Sequence, residues 1–111
     1  MLMMTTGDTA HQLNPDDMRS HAGNAAQLLK ALGNEQRLMI LCLLAKGEQS
    51  VGVLNRQLDL SQSALSQHLA VLREENMVNT RRESQTIFYS LAPGPACEVM
   101  QTLYGIYCAP R

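Results

Sequence analysis

The stretch Leu60-Ser61-Gln62-Ser63-Ala64-Leu65-Ser66-Gln67-His68-Leu69-Ala70-Val71-Leu72-Arg73 decides the fold. Ala64, Leu65, Leu69 and Leu72 recur at helical spacing and predict an inward face, while Gln62, Ser63, Ser66, Gln67 and Arg73 fall outside it. Short hydroxyl and amide side chains bond base edges and phosphates without holding the backbone away from a duplex, so this helix is suited to a major groove. A solvated polar face is also ordinary for a surface helix. The segments on either side decide between the two readings. His68 shares the inward side, which predicts a packed, hydrogen-bonded ring rather than a base contact.

Upstream, Ser50 to Leu58 reads as a short helix capped by Ser50, with Val51, Leu54 and Leu58 on its inner face. Asp59-Leu60 makes a tight connection and Ser61 caps the next helix, which together form a helix-turn-helix. After Asn76 the period becomes alternating. Val78 to Arg82 is expected as a strand, Glu83-Ser84-Gln85 as a turn and Thr86 to Leu91 as the return strand, forming a wing. Arg81 and Arg82 stand near its tip and Arg73 near the end of the recognition helix, placed to reach a minor groove or phosphates. Adjacent arginines can also simply keep an edge strand soluble.

The remainder reads as helical, without repeats. Residues 1–13 are expected to be a flexible tail and 14–111 a single DNA-binding and dimerisation domain. Asn14-Pro15-Asp16-Asp17 starts a helix with a capping Asn, Pro at the first position and acids in the first turn. That helix is expected to run to about Leu32, where Gly33-Asn34 breaks it. A second helix, Glu35 to Ala45, is apolar almost all round and is expected at the buried centre. A last helix begins at Pro95. Its apolar stripe, including Val99, Met100, Leu103 and Ile106, is suited to packing on a symmetry mate together with the first helix.

With 111 residues and a net charge of −1, the chain lacks the strongly basic balance of an indiscriminate nucleic-acid binder, so its cations must act locally. The longest apolar run, Leu38 to Ala45, is too short to span a bilayer, and Met1-Leu2-Met3-Met4 lacks the pattern of a signal peptide. A cytoplasmic location without membrane partners is expected. No Cys-x-x-Cys, Gly-rich loop or nucleophile-base spacing is present, so neither an enzyme nor a cofactor is expected. Of the three cysteines, Cys42 lies mid-way along the apolar helix, and a small buried hydrophobe is its simplest role. Cys97 and Cys108, eleven residues apart on one helix, would be separated by about 16 Å and cannot pair within a subunit. Cys97 reads as packing or an exposed thiol.

The order α-α-α-α-β-β-α, with Leu32-Gly33-Asn34-Glu35-Gln36-Arg37-Leu38, Ser50-Val51-Gly52-Val53-Leu54 and Leu60 to Leu69 in place, resembles the ArsR/SmtB family of winged-helix repressors over roughly Ala22 to Cys108. The resemblance implies a homodimer that binds double-stranded, inverted-repeat operator DNA and lets go when an effector arrives. It assigns base reading to Gln62, Ser63, Ser66 and Gln67, and the dimer interface to the first and last helices. One metal site of the family uses thiolates before the recognition helix, where Glu48 to Leu54 holds no cysteine. The other uses Asp and His on the last helix, which carries only Glu98 and no His. No metal ligand is therefore expected. Cysteines at the positions of Cys42 and Cys108 resemble the dithiol group of the family (BigR, SqrR, HlyU), which implies linkage of these two thiols in response to reactive sulfur species or oxidants. A metal-responsive or constitutive DNA-binding regulator is the alternative within the family.

Overall fold

The computed structural model describes residues 13–108. Among them run six helices and three strands: α1 (Pro15–Arg19), α2 (Ala22–Leu32), α3 (Glu35–Leu44), β1 (Gln49–Ser50), α4 (Val51–Gln57), α5 (Gln62–Glu74), β2 (Val78–Glu83), β3 (Thr86–Leu91) and α6 (Pro95–Tyr107). The winged helix-turn-helix expected from the sequence is present. Apart from Leu13, the expected tail lies outside the described residues.

Local chemistry sets the helix starts. Asn14 Oδ1 accepts from the Asp16 amide (2.8 Å), Asn34 Oδ1 from Arg37 (3.0 Å), Ser50 Oγ from Val53 (3.2 Å) and Ser61 Oγ from Ala64 (3.1 Å). The end of α5 is equally defined. Asn76 takes a left-handed conformation (φ 59), the Met77 amide donates to the Leu72 carbonyl and the Asn76 amide to Arg73, while Met77 itself is buried. This paired hydrogen-bond closure, with an asparagine that tolerates positive φ, stops the helix and aims the chain into β2.

The structure corrects several expectations. The first helix is not continuous: Ser20 and His21 form a turn between α1 and α2, where two weak helix formers stand just before Gly23. Gln49-Ser50 forms a third strand, pairing Gln49 with Tyr89 and Ser50 with Phe88, so the sheet order is β1-β3-β2. Strand β2 extends to Glu83, leaving a two-residue turn, Ser84-Gln85, with Ser84 at φ 60 as the primed hairpin turns require. The α3 helix ends at Leu44, and Met39 on it is 45% exposed, so apolar residues all round did not mean burial all round.

The core gathers Ile40 and Leu41 of α3, Leu54 of α4, and Leu65 and Leu72 of α5, all fully buried, with Tyr89 of β3 and Ala96 of α6 beside them. Burial of each large aliphatic side chain contributes about 1.5 to 3 kcal/mol, so this cluster is what holds α5 against the rest. Ala64, expected inward, is only half-buried.

Candidate DNA interface and thiol groove

Packing Leu65, Leu69 and Leu72 inward leaves Gln62, Ser63, Ser66, Gln67 and Arg73 exposed along α5. The wing stands beside them. One cleft between the two is walled by Ser66, Ala70 and Arg73 on α5 and by Gln85, Ile87 and Tyr89 on the wing. A second joins Gln62 to Asn55 of α4 and to Gln85 and Thr86. Gln85 and Asn55 add amides to the polar face although the sequence marked Gln85 only as a turn residue. Their alignment with Gln62 depends on how the wing folds back, which no local pattern records.

The two wing arginines differ. Alternation along β2 places Arg82, paired with Ile87, on the sheet face shared with Tyr89, which looks toward α5. Arg81 lies on the opposite face, where its Nε and Nη2 donate to the two carboxylate oxygens of Glu48 (3.0 and 2.7 Å), Nη1 lies 3.5 Å from Glu83, and its guanidinium sits 4.6 Å from the centre of the Phe88 ring. The hydrogen bonds from Arg81 hold the Glu48 carboxyl below the usual carboxylate range, and Glu48 in turn raises Arg81. Arg82 carries no such partner among the described residues.

Behind the recognition helix, Arg37 of α3 donates to the carbonyls of Ala31 (2.6 Å) and Lys30 (3.4 Å) at the end of α2, and through Nη1 to Nδ1 of His68 (3.3 Å). One guanidinium thus ties α2 to α5. His68 is half-buried and packed, as expected, and burial first, then the Arg37 charge, pushes its pKa below the ordinary 6.5.

Two of the three cysteines, Cys42 and Cys97, line a groove between α3 and α6. Cys42, Ala45 and Lys46 form one wall, Leu91 at the end of β3 closes it, and Cys97, Met100, Gln101 and Tyr104 form the other. Cys42 and Cys97 are half-buried and Cys108 is exposed. Residues 97, 101, 104 and 108 follow one another along a single face of α6, so Cys108 continues the same stripe one turn beyond Tyr104, whose carbonyl accepts its amide (2.8 Å). Gln101 Nε2 donates to Cys97 Sγ (3.9 Å). The nearness of Cys97 to Cys42 was not foreseen.

On α6, Val99 and Met100 pack partly on the core and Leu103 is half-buried, whereas Tyr104, Ile106 and Tyr107 are exposed, as is Leu29 on α2. Among the described residues no three His, Cys, Asp or Glu side chains converge as a metal site would require, and no helix is long and apolar enough to cross a membrane.

A profile described as "Bacterial regulatory protein, arsR family" matches residues 34–80, from the cap of α3 through the helix-turn-helix into β2. The chain is also 49% identical over 96 residues to the transcriptional activator HlyU of Vibrio cholerae, covering 86% of this chain and 89% of that protein. This chain belongs to the ArsR family. Within the ArsR family it is 50% identical over 94 residues to the biofilm growth-associated repressor of Agrobacterium fabrum, covering 85% of this chain and 80% of that one. The crystal structure of the transcriptional repressor BigR from Xylella fastidiosa matches with a TM-score of 0.79 and 44% identity, over 88% of this chain and 100% of the other. The resemblance read from the sequence therefore holds, down to the grouping with HlyU and BigR. The protein is a DNA-binding transcriptional regulator with an ArsR-type winged helix.

Proposed function

We propose that the chain is a dimeric repressor that grips an inverted-repeat operator through α5 and the wing, and releases it when Cys42 and Cys108 of one subunit become joined by a disulfide or polysulfide. Gln62, Ser63, Ser66 and Gln67 read bases, and Arg73, Arg81 and Arg82 contact backbone or minor groove. The observation that carries this reading is the exposed Ser/Gln face of α5 flanked by the wing clefts, with a half-buried thiol, Cys42, on the helix behind it. Support for the switch comes from Cys108 continuing the α6 stripe that faces Cys42, and from the relatives: the Vibrio cholerae HlyU has been solved in a form described as reduced. Reactive sulfur species or oxidants are the effector class. Joining α3 to the far end of α6 would fix a dimerisation helix against the core, and a bias of about 1 to 3 kcal/mol toward a misaligned dimer lowers affinity roughly 5- to 150-fold.

The test is operator binding by wild type, Cys42→Ser and Cys108→Ser before and after a sulfane-sulfur donor. Wild type should release DNA and recover with a thiol reductant, and both variants should stay bound. Release by either variant would refute the pair.

A further inference from the structure

The thiol that shares a groove with Cys42 is Cys97, not Cys108. The groove holds about 440 Å³ and is lined mainly by apolar groups, with Leu91, Met100 and Tyr104 among its residues; Lys46 and Gln101 are its polar lining residues. Gln101 already donates to Cys97 Sγ, so an anion formed on that sulfur during exchange meets a donor. Two half-buried thiols facing a small apolar space suit an uncharged sulfur compound better than a hydrated anion, because the apolar lining favours a ligand with alkyl groups and little to desolvate.

We propose that this groove is a capture site for small apolar organic trisulfides, with Cys42 and Cys97 closing together on the central sulfur. This rests on the reading of Cys42 as a sulfur-sensing thiol. The Cys42 thiolate attacks the central sulfur of R–S–S–S–R and expels one RS⁻. Cys97 then attacks the same sulfur and expels the second. Two protein thiols and one trisulfide give a Cys42–S–Cys97 bridge and two RSH, the protein dithiol being oxidised and the organic trisulfide reduced, with the thiol protons passing to the departing thiolates. One inserted sulfur also lengthens the link beyond the tight geometry that a direct disulfide demands. Cys108, about 16 Å from Cys97 along the same helix, is out of reach of the bridging sulfur. Capture with Cys97 and linkage to Cys108 therefore compete for Cys42.

The decisive variant is Cys108→Ser, at an exposed position where folding is not at stake. The reduced protein is treated with dimethyl trisulfide without oxygen, weighed intact, and digested with chymotrypsin, which cuts between positions 97 and 108 at Tyr104 and Tyr107. Expected is a single chain heavier by one sulfur atom less two hydrogens, with the Cys42 and Cys97 peptides joined and operator affinity unchanged. Cys97→Ser should form no such bridge and should reach the Cys42–Cys108 link and release DNA at least as fast as wild type. Separate methylthio adducts on Cys108→Ser, or a link between two chains, would overturn the capture site. Wild type that bridges Cys42 to Cys97 yet never lets go of DNA would sustain the capture site and refute only the Cys42–Cys108 switch.

Discussion

Gln62 and Gln67 test the interface at the scale of single residues. Both are exposed, so their removal leaves the core untouched, and a lost bidentate amide contact to a base is worth about 1 to 3 kcal/mol. Gln62→Ala and Gln67→Ala should each weaken operator binding by that amount relative to random DNA, as measured by competition titration; unchanged affinity in both would remove the base-reading role from α5. The wing arginines should separate from each other. Arg82 is free to meet a phosphate, so Arg82→Ala should lower the slope of log affinity against log salt by about 1. Arg81 reaches a phosphate only by leaving Glu48, and Arg81→Ala should flatten the slope less. Identical slopes in all three proteins would count against the wing.

At the scale of elements, the contact between Arg37 and His68 makes the seat of the recognition helix sensitive to pH. His68 accepts from Arg37 through Nδ1, which requires the neutral ring. Its folded pKa is lowered, so the unfolded chain takes up the proton first: stability is level above pH 6.5, the ordinary value, and falls as the pH drops from there toward the folded pKa. His68→Gln keeps an acceptor and removes the titration, so urea midpoints that decline in wild type below 6.5 should stay more nearly level in the variant. Equal declines would place the loss elsewhere. This link also marks where the sequence stops being readable. The helix-turn-helix was legible because Ser50 and Ser61 caps and the Leu65, Leu69 and Leu72 period are local signals. Strand β1 is two residues long and has no period to read, and the break at Ser20-His21 lacks a Pro to announce it. The pairs Arg37–His68, Arg81–Glu48 and Cys42–Cys97 join residues far apart in the chain, through packing that no spacing rule encodes. The candidate site followed the same division. The polar face of α5 was read correctly as exposed, while the partners that shape the clefts and the groove were visible only once the chain was folded.

For the molecule as a whole, Leu29 on α2 and Tyr104, Ile106 and Tyr107 on α6 are each at least half exposed. Apolar side chains gathered on terminal helices of a small domain mark an interaction surface, and a two-fold pairing that buries the same patch from both subunits is the simplest closed solution. Such a dimer carries two recognition helices, and their half-sites must lie about 34 Å apart, one turn of the duplex or a multiple of it, for both to engage at once. We expect sedimentation of the wild-type chain at micromolar concentration to give a dimer. Ile106→Glu puts a charge into the paired surface at a position that is 53% exposed in the single subunit, so the domain should still fold, with an unchanged circular dichroism spectrum, but sediment as a monomer. Because the second half-site then binds as a separate event rather than at the high effective concentration of a tethered partner, operator affinity should fall at least about a hundredfold. A wild-type monomer, or an Ile106→Glu dimer with full affinity, would require the two recognition helices to be joined through some other face.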